Sequence, residues 1–146
     1  MPTINFTKFI DKVESGEKRQ TIRAIRKRPI KVGDKLYLYS GLRTKGARNL
    51  LIKHIVKIDM SCHYDMYGKS CYITCKEVHE VEMYYSYHWE GGSRNKFYNI
   101  TIDNKNINNR KRLMLAKADG FNSYKEMFNW FEKTHGLPFK GQLIKW

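Results

Sequence analysis

The sequence is poor in acids where it is richest in bases. Between Lys18 and Lys57 there are thirteen lysines and arginines and a single acid, Asp34. The formal net charge of the 146 residues is +14, and most of it belongs to residues 1–60. Such a field attracts polyanions because binding releases their counterions, so the charge predicts a nucleic acid as the partner. No membrane partner is predicted, because no basic amphipathic helix with a broad apolar face is visible.

Long apolar runs and a cysteine framework are missing as well. No stretch approaches the roughly 20 apolar residues that a membrane-spanning helix needs. The first eight residues lack the apolar core of a secretory signal. Three cysteines, an odd number, fit a reducing compartment better than a set of disulfides. These absences predict a cytoplasmic protein.

The zinc candidates have the wrong spacing. They are Cys62, His63, Cys71, Cys75 and His79, and they lack the tight cysteine pairs of a zinc knuckle. On one strand, residues 71 to 79 would spread over about 26 Å at roughly 3.3 Å per residue, too far to share one ion. A phosphate-cradling loop and a dinucleotide-binding glycine pattern are also absent. The sequence therefore predicts no metal and no cofactor.

The chain does contain a mixed pattern of helices and short strands. Apolar residues at helical spacing predict a first helix over about residues 4–15, stopped by Gly16. Ser123 and Glu126 have the form of a capping box that opens a late helix, and Gly136 ends it. Other segments are predicted as a strand from Leu36, a basic loop over 40–48, strands over 50–60, 71–82 and 97–102, a glycine turn at 91–92, a helix over 110–117 and a closing strand over 139–146. The order predicts an α+β fold around a small, strongly curved sheet or barrel.

Four separate pieces of the sequence resemble a known family, the ASCH domain of the PUA-like β-barrel superfamily. They are Gly16-x-Lys18-x-x-Thr21-x-Arg23 after a helix, the turn Val32-Gly33-Asp34 before a strand, the segment Ala118-Asp119-Gly120-Phe121-x-Ser123, and the terminal Phe128-x-Trp130-Phe131 helix with the Phe139-x-Gly141-x-x-Ile144-x-Trp146 strand. The last piece resembles phage and prophage members. The resemblance implies one domain over 1–146, a PUA-like small mixed β-barrel with flanking helices, and the host cell cytoplasm if the protein is phage-encoded.

The resemblance also implies ligands. Members of the superfamily bind RNA or modified nucleobases, which favours RNA over DNA. One more compact branch is similar to amidohydrolases that remove an acyl group from acetylated cytidine with a lysine, a threonine and a glutamate. Lys18 and Thr21 match that motif, and Asp119 stands where the glutamate would be, one methylene shorter.

The three candidate catalytic residues have structural alternatives. Thr21 needs a base to take its proton, and Lys18 could serve only as a desolvated, neutral amine. Asp119 could orient a water or accept a hydrogen bond from a base amino group. Thr21 could equally be an ordinary strand residue, and Asp119 a turn residue that bonds its own backbone.

The basic side chains of the first half are candidate phosphate contacts, with a solvated surface as the alternative. The predicted nucleic-acid-binding residues are Lys18, Arg19, Arg23, Arg26, Lys27, Arg28, Lys31, Arg43, Lys45 and Arg48. The run Arg110–Arg112 forms a second basic cluster or a plain helix surface. The aromatic candidates for base stacking, one or two of which are expected to be functional, are Tyr37, Tyr39, Tyr84, Tyr85, Tyr87, His88 and Trp89.

The sequence thus predicts an ASCH-type protein that binds RNA, or a nucleotide derived from nucleic acid, in a basic cleft. A small hydrolase that uses Lys18, Thr21 and Asp119 on a modified nucleoside or an RNA phosphodiester is the first alternative. A phage protein-interaction module that docks on an acidic host protein is the second.

Overall fold

The computed structural model describes residues 2–52, 60–66 and 68–146. Within them the chain is mixed α+β, as predicted. The elements are β1 (Thr3–Phe6), α1 (Ile10–Ser15), β2 (Gln20–Ala24), β3 (Lys35–Ser40), β4 (Arg48–Asn49), β5 (Met60–Asp65), β6 (Gly68–Thr74), β7 (Glu77–Glu90), β8 (Ser93–Ile102), β9 (Lys105–Asn106), α2 (Asn109–Ala118), α3 (Tyr124–His135) and β10 (Phe139–Lys145). Within these ranges, no helix has both the length and the apolar character to cross a membrane.

The strands form two five-stranded sheets. In the first the order is β1-β3-β6-β5, with β4 paired to β3, and in the second it is β2-β10-β7-β8-β9. β1 runs parallel to β3, whereas the pairs β3–β6, β5–β6 and β7–β8 are antiparallel. Among the described residues neither sheet closes on itself. The finer prediction of a PUA-like barrel therefore stays a prediction.

The chain divides into two compact units that alternate along the sequence. The first comprises the described residues of 1–21, 30–78 and 144–146, and the second comprises 22–29 and 79–143. Each unit is described by itself below. The prediction of one domain over 1–146 stays a prediction.

The first unit has its core between β1, β3 and β6. Ile4 on β1 lies beside Leu38 on β3 in the parallel register, and both are fully buried. Phe6, two residues on and therefore on the same face of β1, packs edge-on against Trp146 with ring centroids 6.1 Å apart. Trp146 is buried.

The predicted first helix over residues 4–15 is wrong in its first half. Residues 3–6 form β1, and the helix α1 begins only at Ile10. Phe6 shares the helical spacing of Phe9, Ile10 and Val13, but Ile4 and Phe6 alternate as in a strand, and pairing with β3 selects the strand. The predicted stop is confirmed, because Gly16 has a φ of 83° and its N–H donates to the Val13 carbonyl.

The predicted strand over 71–82 is two strands. β6 ends at Thr74 and β7 begins at Glu77, and they belong to different sheets. At the break the Cys75 N–H donates to the Asp34 carbonyl, and the Cys75 carbonyl accepts from Gly33. The predicted strand over 50–60 falls largely on 53–59, outside the described residues, and Met60 begins β5.

The expectation of unpaired cysteines is wrong for two of the three. Cys62 on β5 and Cys71 on β6 are opposite each other in the antiparallel register, and a disulfide of 2.04 Å joins them. Cys75 is free and buried. The sequence gives no register for β5 and β6, so it could not show that these two side chains meet.

The second unit places α3 against the sheet. Phe128 of α3 lies 5.0 Å from the Tyr98 ring of β8, and Phe131 lies 4.8 Å from the Phe139 ring of β10. The predicted N-cap is confirmed, since the Ser123 hydroxyl accepts from the Glu126 N–H at 3.2 Å. The other half of the capping box differs, because the Glu126 carboxylate accepts from the Asn122 N–H and not from that of Ser123.

Candidate nucleic-acid interface

Phe9 has an unusual backbone for its residue type. It is the residue before α1, with φ 59° and ψ 32°, which is the left-handed conformation. That conformation costs a residue with a Cβ roughly 1–2 kcal/mol, and for a bulky side chain it is an outlier. Strain of this kind concentrates at sites that bind ligands or do chemistry. Phe9 is therefore a candidate functional residue.

Three lysine side chains surround the Phe9 ring. The ammonium groups of Lys8, Lys12 and Lys18 lie 4.9, 5.3 and 5.7 Å from the ring centroid, within the range of a cation–π attraction. Lys18 reaches this position because Gly16 turns the chain back at the end of α1. The Lys18 N–H then donates to the Lys12 carbonyl at 2.9 Å.

The Phe9 ring also forms one wall of a cavity of about 420 Å³. We call this cavity the Phe9 pocket, and it is lined by Phe9, Ile10, Asp11, Lys12 and Arg48. Its volume falls within the roughly 300–1,000 Å³ of typical ligand sites. Ring, cations and one carboxylate thus line the same space.

Arg48 is positioned in this pocket by an ion pair. Its Nη2 lies 2.9 Å from Oε1 of Glu14, whose side chain is 19 % exposed. A guanidinium offers five N–H donors, so the contact with Glu14 leaves donors that can contact a ligand. Arg48 begins β4, which pairs with β3.

The basic loop before Arg48 is ordered by its own hydrogen bonds. The Thr44 hydroxyl donates to the Gly41 carbonyl at 2.6 Å and accepts from the Gly46 N–H at 3.2 Å. Gly41 has a φ of 69°, and a Cβ there would crowd the Thr44 hydroxyl and the Gly46 carbonyl. The loop holds Arg43 and Lys45 exposed to solvent.

The predicted catalytic residues are all buried. Lys18 lies in the segment before β2, Thr21 on β2, and Asp119 at the C-terminal end of α2, with 3, 4 and 5 % of their surface exposed. Lys18 and Thr21 belong to the first unit and Asp119 to the second. Their grouping into one catalytic site stays a prediction.

Asp119 interacts electrostatically with Arg23 inside the second unit. Burial lowers the pKa of Arg23, the negative charge of Asp119 raises it, and the positive charge of Arg26 lowers it further. The attraction between the buried Asp119 carboxylate and the half-buried Arg23 guanidinium offsets part of the cost of removing these charges from water. This arrangement gives Asp119 a structural role that its interpretation as a turn residue did not include.

The ten predicted phosphate contacts divide between the two units, so their union into one basic face stays a prediction. Lys18 is buried, Arg19, Arg23 and Arg26 are half-buried, and the other six are exposed. The members in the first unit are Lys18, Arg19, Lys31, Arg43, Lys45 and Arg48, and those in the second are Arg23, Arg26, Lys27 and Arg28.

Several other candidates have structural partners. Arg112 donates to the Tyr98 and Ile107 carbonyls, so it holds α2 to its surroundings. Tyr37 is buried and packs 5.6 Å from the Tyr72 ring. Nδ1 of His79 lies at hydrogen-bond distance, 2.7 Å, from Oδ2 of Asp103. In the described ranges, no three His, Cys, Asp or Glu side chains form a possible metal site.

Sequence reasoning missed Phe9, Lys8 and Lys12 as site residues, because Phe9 was interpreted as the apolar face of a helix. The available signal was a phenylalanine with a lysine before it and another three residues after it. This signal is weak, because lysines commonly flank the buried stripe of a helix.

Comparisons with protein-family models, with curated proteins and with solved structures find no match to this chain. The resemblance to the ASCH domain stays a prediction. A function can therefore be inferred only from the geometry of the described residues.

Proposed function

We propose that this protein binds nucleic acid, RNA in preference to DNA, and that the Phe9 pocket receives one nucleotide of the strand. One observation carries the proposal: a phenylalanine ring in a costly backbone conformation lies within cation–π distance of three ammonium groups, and with Lys12 and Arg48 it lines an open surface pocket of about 420 Å³. A ring provides a stacking surface for a base, and the cations beside it provide partners for a phosphate.

The charges of the pocket assign an orientation to the nucleotide. Lys12 and Arg48 line it with positive charge, and Asp11 contributes a carboxylate. The phosphate binds Arg48 and Lys12, where the guanidinium can donate two parallel hydrogen bonds. Asp11 repels the phosphate and accepts hydrogen bonds, so it faces the sugar or the base.

Asp11 also supports a preference for RNA. A carboxylate accepts a hydrogen bond from a ribose 2′-hydroxyl, the group by which proteins distinguish RNA from DNA. A deoxyribose offers no donor at that position, so the Asp11 carboxylate would lose that hydrogen bond with DNA. The resemblance to the ASCH domain, with its PUA-like barrel and RNA-binding members, supports the same ligand class.

The ordered basic loop supports binding of a strand over binding of a lone nucleotide. Arg43 and Lys45 are exposed on that loop, and Arg48 at its end lines the pocket. Because the loop and the pocket are consecutive in the chain, cations continue beyond the pocket wall. Neighbouring phosphates of the same strand can bind there.

The test is the affinity for a fluorescent 12-nucleotide RNA and the DNA of equal sequence, measured by anisotropy over a series of salt concentrations. We expect the affinity to fall steeply with salt, with a slope of about 0.7 per neutralised phosphate on a single strand. We expect RNA to bind more tightly than DNA, and Asp11→Ala, which removes the acceptor for the 2′-hydroxyl, to reduce that difference. Binding that is absent, or that does not depend on salt, contradicts the proposal.

A further inference from the structure

One face of the β7–β8 hairpin leaves the core and continues into solvent. Alternate residues of a strand share a face, so Tyr85, Tyr87 and Trp89 follow Met83 on the same side of β7. Met83 pairs with Ile100, and both are fully buried. The next aromatic side chains are 37, 43 and 73 % exposed. The exposed fraction therefore rises steadily toward the end of the hairpin.

Two cations lie among these rings. Arg94 is opposite Trp89 in the register, and its guanidinium carbon lies 3.6 Å from the Tyr87 ring centroid. Lys96 is opposite Tyr87, and its ammonium lies 4.3 Å from the Tyr85 centroid. Rings and cations therefore alternate along the exposed side. We call Tyr85, Tyr87, Trp89, Arg94 and Lys96 the hairpin face.

Lys96 is held in place by a carboxylate of α3. Its Nζ lies 3.2 Å from Oε1 of Glu132. The hydrogen bond to Glu132 raises the pKa of Lys96, so Lys96 stays charged well above neutral pH. The hairpin face thus keeps both of its positive charges under physiological conditions.

We propose that the hairpin face binds single-stranded nucleic acid, with bases stacked on Tyr85, Tyr87 and Trp89 and phosphates paired with Arg94 and Lys96. The inference rests on the proposed function and adds a second contact surface to it, built from residues of the second unit alone. Stacking on aromatic side chains accepts any base, because every base has a π-face. In a duplex those faces are already covered by neighbouring base pairs.

Charge complementarity selects this occupant. The hairpin face carries two cations, and each lies against a ring. Lys96 is also ion-paired with Glu132 of α3, so Arg94 supplies most of the positive charge for a ligand. Alternating rings and cations match the alternating bases and phosphates of a single strand.

The length of the face indicates how much of the strand it contacts. Successive rings are two residues apart, which is about 7 Å at roughly 3.4 Å per strand residue. One base can stack on each of the three rings, so the face contacts about three nucleotides of an unstacked strand.

The experiment compares Trp89→Ala and Tyr87→Ala with the matched control Tyr64→Ala in the full chain. Tyr64 is 78 % exposed and lies in the first unit, so its loss also removes an exposed aromatic ring. The probes are a 12-nucleotide oligouridine and a blunt 12-base-pair RNA duplex at one fixed salt concentration. Each hairpin variant should bind the single strand about 5- to 100-fold more weakly, while duplex affinity and the Tyr64→Ala variant change less than twofold.

A second measurement on the folded wild type keeps the inference testable if a variant is unstable. Trp89 is 73 % exposed, whereas Trp146 is 3 % exposed. Stacking of a base on Trp89 should therefore quench tryptophan fluorescence when oligouridine is added. Trp89→Phe should remove that change but keep the affinity within about threefold of wild type. Wild-type affinity in Trp89→Ala and Tyr87→Ala, with no quenching, overturns the inference and leaves the proposed function standing. Wild type that binds neither probe overturns both.

Discussion

The ammonium group of Lys18 lies 5.7 Å from the centre of the Phe9 ring, although eight residues lie between them in the chain. The contact exists because α1 is short and ends at Gly16, whose left-handed backbone returns the chain toward Phe9. Lys18 is thereby fixed beside the Phe9 pocket while only 3 % of its surface is exposed. The lysine at the head of the basic block and an aromatic ring from the N-terminal segment thus form one site.

Replacing Phe9 should lower the affinity for RNA with little change in the stability of the fold. Phe9→Gly removes the ring but relieves the left-handed backbone, so the free energy of unfolding should change by no more than about 1 kcal/mol. Affinity for the 12-nucleotide RNA should fall about tenfold, because a stacked base is lost. Urea unfolding and anisotropy measure the two quantities.

Phe9→Tyr is the matched control for that change. It keeps a ring of nearly the same size and the same backbone strain, so affinity and stability should both stay close to wild type. Equal affinities for Phe9→Gly and Phe9→Tyr would show that the ring does not contact the ligand.

Gly141 allows β2 and β10 to approach each other. A Cβ at this position would collide with the Arg23 carbonyl oxygen and would lie 2.7 Å from the Phe139 ring. Gly141→Ala should therefore destabilise the protein by about 2–3 kcal/mol, as overpacking does. The control is Gly46→Ala, where a Cβ meets only Thr44 Oγ1 at 3.7 Å. A Gly141→Ala variant as stable as Gly46→Ala in thermal unfolding would contradict this packing.

The Cys75 thiol makes stability depend on pH at the alkaline end. Burial raises the pKa of Cys75 above its ordinary value of 9.0, and the negative charge of Asp34 raises it further. A thiol whose pKa is raised by folding contributes to the free energy of unfolding. That contribution is complete below pH 9 and is lost as pH rises through the pKa of the folded state. Wild type should therefore lose stability more steeply than Cys75→Ala as pH rises above 9. Parallel losses in the two proteins would contradict the pKa shift.

The disulfide between Cys62 and Cys71 closes a short loop between β5 and β6. The two residues are separated by 9 positions in the sequence, for which chain entropy gives about 2–3 kcal/mol of stabilisation. A phosphine reductant should lower the unfolding midpoint of wild type and leave Cys62→Ala/Cys71→Ala unchanged. Denatured, unreduced protein should take up one alkyl group, at Cys75. Uptake of three alkyl groups would contradict the pairing.

Local chemistry made part of this fold predictable. Gly16 ends α1 and Ser123 caps α3 as the sequence predicts, because a left-handed glycine and a capping hydroxyl act within a few residues. Residues 3–6 were not predictable as a strand, since only the parallel pairing with β3 distinguishes a strand from a helix there.

The candidate site was predictable only in its charge. The basic block made Lys18 and Arg48 candidate phosphate contacts, but the pocket that Phe9 and Lys12 line with Arg48 depends on how α1 lies beside β4. The disulfide was missed for a related reason, because the sequence does not show the register in which β5 pairs with β6. In each case the missing information is which distant segments of the chain pair with each other.

In the proposed function, the Phe9 pocket binds a phosphate of the nucleic acid. This is tested by the salt dependence of RNA affinity in the double variant Lys12→Ala/Arg48→Ala. Lys125→Ala is the control for a lost positive charge, since Lys125 is exposed on α3 in the second unit. We expect the slope of log affinity against log salt to fall by about 0.7 to 1.4 in the double variant, for one or two lost phosphate contacts. In Lys125→Ala the slope should stay at the wild-type value. Equal slopes in the double variant and in wild type would contradict the proposed phosphate contact.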